Sequence, residues 1–396
     1  METAMLEPYG TADKWGYLET TANGQIEVKS NYYYPLDPSY YVDLMRRGAK
    51  KLTSVEIWPN NYCNQKCSFC NSDLFKLKGS EALPFDVLAK LINDLADLGN
   101  TSVRFSGGGE PHIYERMAEI IELIAKREMK SFFITNGSTL SEGLIDSLTS
   151  YSSLVRFSFN GGNRKDYRTS HGRDHFHQTI KNMRKMARQR RLKGREDSLI
   201  LGATFILTPQ NYTNVSDAVR IVKDCGFNYF LIRPRSPFPA HLAGKAFDIF
   251  KDQLVQGRAL RAENFYVGGK LRKLDGTKPK GDLCRACYVT YFRAYVTADG
   301  NVSTCFDGIC NKRNVLGNLL EKSFKEIWEG KTHLELRHKL ERGQFFDFCH
   351  QHCGNADFNR SIDQIKQAIE IDPDVKFRKM PYDWTKEFMP DDNPWF

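Results

Sequence analysis

No run of about 18 apolar residues occurs in this 396-residue chain, so nothing in it reads as a membrane span. The opening METAMLEPYGTADKWG holds acids, Pro and Gly where a secretory signal needs a basic end and an apolar stretch. A cytoplasmic protein is the simplest expectation. Internal repeats and low-complexity tracts are also lacking, which argues against a repeat array. Cysteine is nearly absent over long tracts: nine of the ten fall in 63–70 and 284–353, and only Cys225 stands apart. In a reducing compartment such clusters point to metal ligands or free thiols before disulfides.

What is present is core material. Apolar residues make up 41% and charged residues 27%, which permits a large core and excludes global disorder. The length fits roughly two to three domains. The net charge of +9 could favour an anionic substrate or a nucleic acid, but much of the excess lies in RKMARQRRLKGR (184–195). No aromatic platform is interleaved there, so the run reads as the solvated end of a helix, and no nucleic-acid partner is expected.

Residues 1–48 are rich in Tyr and Pro and read as an ordered extension. From TSVEIW (53–58) onward short β-branched runs alternate with amphipathic ones. Strands are predicted at 53–58, 101–106, 131–135, 154–159, 199–207 and 228–233. Helices are predicted at 85–99, 114–127, 140–149, 175–192 and 213–225. This is an α/β pattern with a parallel sheet, and periodicity alone leaves a doubly wound sheet and a curved partial barrel both open. Gly, Lys and Pro crowd 268–282, which reads as a linker. A hairpin turning at Asp299-Gly300 and a helix near 322–341 follow.

Cys63-x3-Cys67-x2-Cys70 follows the first strand directly, in a loop of the kind that builds active sites in parallel α/β folds. Soft thiolates suit iron–sulfur or zinc. Three ligands leave one iron of a four-iron cluster open, whereas structural zinc wants four protein donors, and no fourth Cys or His lies nearby. The second strand ends in FSGGGEP (105–111), whose glycines allow close backbone approach and whose Glu110 could pair with an ammonium group.

These two segments together resemble the radical S-adenosylmethionine (SAM) superfamily. Cys63, Cys67, Phe69 and Cys70 match its cluster motif, and Gly108-Gly109-Glu110 its methionine-binding GGE segment. The resemblance covers roughly 53–235. It implies a partial (β/α)6 TIM-like barrel and a [4Fe–4S] cluster whose open iron binds SAM. It also implies reductive cleavage of SAM to a 5′-deoxyadenosyl radical that takes hydrogen from a substrate. Asn136, Ser158, Asn160 and Arg173 stand where the family tends to contact SAM. The family's Ser-x-Asp reads Ser158-Phe159-Asn160 here, which removes the carboxylate.

The second group reads Cys284-x2-Cys287-x12-Gly300-x4-Cys305, then Cys310 and Cys349-x3-Cys353. Cys287-x12-Gly300-x4-Cys305 resembles the SPASM domain and its shorter twitch form, which carry auxiliary clusters. Six thiols are too few for two clusters. One auxiliary [4Fe–4S] cluster on Cys287, Cys305, Cys349 and Cys353 is therefore expected, with Cys284 as competitor. Zinc on the same residues is the alternative, and His350 and His352 read as loop residues. The expected layout is an extension (1–48), a radical SAM core (49–262), a small auxiliary-cluster domain (263–355) and a tail (356–396).

A radical generator beside a second cluster points to net two-electron oxidation of a small polar substrate, such as a sugar, aminocyclitol or nucleotide. The auxiliary cluster would accept an electron. Arg233 and Arg235 could hold an anionic group or act on a hydroxyl, and Cys310 could return a hydrogen atom to a substrate radical. A flavodoxin- or ferredoxin-type electron donor is implied as partner. Competing readings are a peptide-modifying enzyme, a thiol-dependent epimerase, and a non-catalytic zinc or electron-transfer protein that leaves GGE unexplained.

Overall fold

The computed structural model describes residues 17–20, 26–29, 52, 54–70, 81–235, 245–269, 285–306, 308–309, 311–346, 349, 355, 359, 362–363, 366–367 and 377–378. Cys284, Cys310 and Cys353, with His350 and His352, lie outside these residues. The chain divides into two compact units: 1–50, 280–289 and 337–394 form one, and 51–279, 290–336 and 395–396 the other. No described helix is long and apolar enough to cross a membrane.

In the smaller unit, β1 (Tyr17–Thr20) and β2 (Ile26–Lys29) pair antiparallel, and the short strand Phe377–Arg378 adds to β2 in parallel.

The larger unit is built on one sheet. Its strands β3 (Ser54–Ile57), β4 (Ser102–Phe105), β5 (Lys130–Thr135), β6 (Leu154–Ser158), β7 (Ile200–Leu207), β8 (Tyr229–Pro234) and β9 (Tyr266–Gly269) lie side by side in chain order, all parallel. Between them run α1 (Phe85–Asp97), α2 (Met117–Lys126), α3 (Glu142–Tyr151), α4 (Arg164–His171), α5 (Phe176–Leu192), α6 (Val215–Asp224) and α7 (Lys245–Arg258). Right-handed crossovers between strands kept in sequential order put every helix on the same face. A sheet covered on one side only curves around its uncovered side, which decides for the partial barrel over the doubly wound sheet.

Burial follows that layering. Val55, Ile57, Val103, Phe105, Phe133, Val155 and Phe157 are fully buried on the helix side. Their neighbours Glu56, Arg104, Phe132, Ile134, Arg156 and Ser158 are half-buried on the inner side. The helices answer with buried stripes at helical spacing, such as Leu88, Leu91, Ile92 and Leu95 on α1.

Three sequence expectations need correction. The sheet has a seventh parallel strand, β9, where the linker was to begin. The glycines of YVGG fit a strand because a Cβ on Gly269 would overlap the Ile232 carbonyl. The helix expected near 322–341 is two, α8 (Phe324–Trp328) and α9 (Lys331–Glu341). A full capping box between Ser323 and Glu326 opens the first. The basic run is also less solvated than its composition implies. Arg190 is buried and donates to Leu199 O and Gly226 O, while Lys193 donates to Asp146 O within α3 and Arg195 to Ser152 O just past its end.

The hairpin is as expected. Its arms β10 (Arg293–Val296) and β11 (Asn301–Ser303) meet at Gly300, whose φ of +84° lies in the left-handed region. β10 also pairs in parallel with β3, Ala294 opposite Val55, and β12 (Val315–Asn318) continues the sheet beyond β11. The hairpin region is thus an extension of the barrel sheet itself.

Candidate active site at the strand ends

The cysteine loop leaves β3 at Trp58 and is tied on two sides by backbone hydrogen bonds. On one side Gly109 N donates to Asn60 O (3.0 Å) and Glu110 N to Tyr62 O (2.9 Å). On the other, Lys66 N donates to His171 O (2.9 Å) and Ser68 N to Ser170 O (3.0 Å), at the C-terminal end of α4. The helix is fixed at its start by Asn163, whose side chain accepts from Asp166 N, and at this end by Gly172, left-handed at φ +64°. A Cβ on Gly172 would overlap Lys66 O, so only glycine allows this close approach.

The GGE turn is as tightly set. A Cβ on Gly108 would overlap Asn61 Oδ1, and one on Gly109 would overlap Tyr62 O and lie 2.7 Å from Tyr62 N. Glu110, 4% exposed, accepts from Thr135 Oγ1 (2.7 Å), Asn136 N (2.8 Å) and His112 N (3.3 Å), with His112 Nδ1 at 2.9 Å. Asn136 Nδ2 lies 2.9 Å from Asn64 Oδ1 and 4.0 Å from Cys63 Sγ, and its Oδ1 accepts from Ser138. Cys63, Glu110 and Asn136 thus belong to one network across three successive βα loops.

The fourth strand end supplies residues that motif reading missed. His171 is fully buried and its Nδ1 lies 2.6 Å from Gln65 Oε1 and 3.4 Å from Cys67 Sγ. Its Nε2 faces Asn160 N (3.3 Å) and Asn160 Nδ2 (3.1 Å). A backbone amide can only donate, so Nε2 accepts and the proton sits on Nδ1, donated first to Gln65 Oε1 at 2.6 Å with the Cys67 sulfur as the longer arm at 3.4 Å. Burial pushes this imidazole down to about 3, so it is neutral. Tyr167 stacks on it at 4.1 Å and holds Gln65 Nε2 at 3.0 Å. Phe69 meets it edge-on at 6.0 Å. The only sequence signal was position: His171 begins the HGRDHF segment in which Arg173 drew attention.

Other candidates are placed differently. Asn160 is buried, its Oδ1 accepting from Ile206 N and its Nδ2 facing His171, so its side chain is spent inside the fold. Ser158 is half-buried at the end of β6, and Arg173 is exposed after α4. Cys305 follows β11 in the larger unit and raises the Tyr295 phenol, which burial chiefly pushes up to about 12. Cys287 and Cys349 belong to the smaller unit, where Cys287 N donates to Leu340 O (3.0 Å) and Cys349 N to Phe346 O (2.9 Å).

The chemistry of the first site suits a thiolate-bound iron–sulfur cluster with an amino acid ligand. Burial pushes the Cys63 thiol up to about 11, with Glu110 and Cys70 adding to it. Burial, Cys63, Cys70 and Glu110 push Cys67 higher still. Such a site disfavours three free thiolates and favours them once cationic iron is present. Among the described residues, no three His, Cys, Asp or Glu donors converge on a point as ligands of a single ion would. Asn60 Oδ1 and Asn61 Oδ1 are buried beside the glycines and accept no hydrogen bond from any described residue. Unspent acceptors beside a turn with no Cβ make a cradle for a donor-bearing ligand. The residues fit.

The fold and this site define an open-barrel enzyme whose first three βα loops hold a thiolate-ligated cofactor. Comparison with known proteins agrees. Residues 59–222 match the Radical SAM superfamily and residues 270–354 match SPASM, an iron–sulfur cluster-binding domain. The chain is similar to the tungsten-containing aldehyde ferredoxin oxidoreductase cofactor-modifying protein of Pyrococcus furiosus. They share 21% identity over 292 residues, 69% of this chain and 80% of that one. It is also similar to a probable GTP 3',8-cyclase of Methanothermobacter thermautotrophicus, at 25% identity over 71% of this chain and 95% of that one. Among solved structures, Streptococcus suis SuiB shares the fold with a TM-score of 0.57 at 16% identity, over 76% of this chain and 71% of that one.

The chain carries a radical SAM domain and a SPASM domain. It is therefore an enzyme that uses a [4Fe–4S] cluster and SAM, with auxiliary iron–sulfur in the C-terminal domain. Cys63, Cys67 and Cys70 would hold the cluster, and the GGE turn with Glu110 would hold the methionine end of SAM.

His171 offers one test that is independent of turnover. An N–H shared between Gln65 Oε1 and a ligand sulfur stabilises the reduced, more negative cluster through its longer arm. His171→Ala is expected to lower the midpoint potential by at most about 60 mV, the one-electron equivalent of a whole hydrogen bond. Iron content should be retained, and potentiometry followed by electron paramagnetic resonance reads the shift. An unmoved potential with a full cluster would show that the imidazole only packs.

Proposed function

We propose that the enzyme oxidises a small polar, anionic substrate held on the inner face of the barrel sheet, with one auxiliary cluster as electron acceptor. The observation that carries this reading is the charge of that face. In-register partners on parallel strands point the same way, and so do residues two apart along a strand. Glu56 pairs with Arg104, Arg104 with Phe132, and Ile134 with Arg156. Arg156 pairs with Gly202, and Gly202 with Tyr229, four residues before Arg233. Arg293 pairs with Ser54, two residues before Glu56. Arg104, Arg156, Arg233 and Arg293 therefore share the face with Glu56, the one carboxylate among its described strand residues. A cationic wall of this kind favours carboxylate or phosphate groups.

When bound, the cluster and SAM supply a hydrogen-abstracting 5′-deoxyadenosyl radical, and the auxiliary cluster a sink for one electron. The chain's part is to hold the anion, aim one C–H bond and accept the proton left over. Glu56 is placed for that proton. It accepts from Trp58 Nε1 (3.2 Å) and Ser106 Oγ (2.5 Å), and Arg104 Nη1 lies 3.7 Å away. Tyr295 stands opposite Glu56 in the register, and Phe306, next to Cys305, packs on both Trp58 and Tyr295. A proposed auxiliary ligand thus neighbours the proposed proton acceptor.

The test is anaerobic incubation with SAM, a chemical reductant and a panel of phosphorylated and carboxylated sugars and nucleotides. 5′-Deoxyadenosine is followed by mass spectrometry. Stimulation by a small anion is expected, with KM raised on the order of 10- to 100-fold in Arg156→Gln, the loss of a charge-assisted pair. Stimulation by peptides alone, with none by any small anion, would make the enzyme a peptide modifier and end this reading.

A further inference from the structure

The outer surface of α4 has a chemistry that SAM cleavage does not use. Arg164, Lys165, Arg168, Thr169 and Gly172 fall on one side of the helix end and, with Asp174, line an open hollow of about 710 Å³. Asp174 is matched by Arg164 at 2.5 Å. Lys165 and Arg168 are exposed and form no ion pair with any described residue. Asp166, the acid within the helix, is buried and faces Asn163 and Asn214, so it does not offset them at the surface. The hollow keeps a net positive charge on a chain that is itself +9.

Its position matters more than its charge. The last turn of α4 is bonded to the cysteine loop at Lys66 and Ser68, and His171 lies 3.4 Å from Cys67 Sγ. Arg168 is three residues before His171, roughly 4.5 Å along the helix axis. A body resting on this patch therefore sits beside the cluster ligands, separated from them by the end of one helix.

Resting on the assignment of a redox cluster to Cys63, Cys67 and Cys70, we infer that the basic face of α4 is the docking surface for an acidic one-electron carrier protein. Opposite charge steers the carrier to the point on the surface nearest the cluster. For a flavin carrier, the anionic hydroquinone gives up one electron and becomes the neutral semiquinone. The oxidised cluster gains that electron, and no proton moves or bond changes. An open, exposed patch suits such a partner, which must bind, deliver and leave.

The test uses the anaerobic holoenzyme and two reductants of opposite charge: a photoreduced acidic flavodoxin and reduced methyl viologen, a small cation. Stopped-flow bleaching of the cluster gives each rate. In the double variant Lys165→Glu/Arg168→Glu, reduction by flavodoxin is expected to slow at least about tenfold and to lose its sensitivity to salt. Reduction by methyl viologen should not slow. An unchanged flavodoxin rate overturns the docking surface. So does equal slowing with both reductants, which would assign α4 to holding the cluster. Failure of methyl viologen to bleach even the parent enzyme would instead strike the cluster assignment on which the inference rests.

Discussion

Replacing Cys63 with alanine is expected to abolish 5′-deoxyadenosine formation and to remove the brown colour of the first cluster. The loop offers three sulfurs and no fourth His or Cys in sequence nearby. Loss of one leaves two thiolates to hold a whole cluster, in a site where burial and Glu110 already oppose bare thiolate charge. The loop itself should survive, since the Gly109–Asn60, Glu110–Tyr62, Lys66–His171 and Ser68–Ser170 bonds are all backbone to backbone. Iron analysis, visible absorption and mass spectrometry measure the outcome. Cys225→Ala is the internal control: that thiol is buried beneath Ile180 O, far in sequence from either group, and its loss should leave deoxyadenosine yield in place. Full yield in the Cys63 variant would contradict the assignment.

Gly109→Ala is expected to weaken SAM binding on the order of 100-fold, as misplacement by about 1 Å of a binding loop can do. The added methyl has no free space. It would overlap Tyr62 O and Asn60 Oδ1, and Tyr62 N would lie 2.7 Å away, so backbone must move where no flexible side-chain end can give way. The displaced turn carries Glu110, whose carboxylate accepts from Thr135, Asn136 and His112, so the fault spreads into the third loop. Gly143→Ala, where a Cβ meets nothing within 4 Å, should bind SAM normally. Equilibrium binding of SAM to the reconstituted variants separates the two, and normal affinity in the Gly109 variant would remove the GGE turn from the binding site.

Much of the first site was legible because its signals are local. Cys63, Cys67 and Cys70 lie within eight residues, and Gly108-Gly109-Glu110 within three. Chemistry that depends on short loops shows in spacing. His171 was not legible, because it is a single residue 104 positions from Cys67 and meets it only through the crossover after β6. α4 escaped notice for a related reason: RKDYRTSH has one large apolar residue, Tyr167, and no stripe to reveal its period. Asn160 drew attention as a ligand candidate, yet its polar atoms serve Ile206 and His171, which no local pattern announces.

Alternation of apolar and polar residues, together with glycines and cysteines at fixed spacing, determined from the chain alone that this protein has parallel βα units and a thiolate loop after the first. Local sterics and hydrophobic period are written residue by residue. Which face of the sheet is covered, that four arginines share the other with Glu56, and that a neutral imidazole lies between Gln65 and Cys67 were decided only in three dimensions. Those facts depend on strand order and register, and these are set by the packing of helices far apart in the chain.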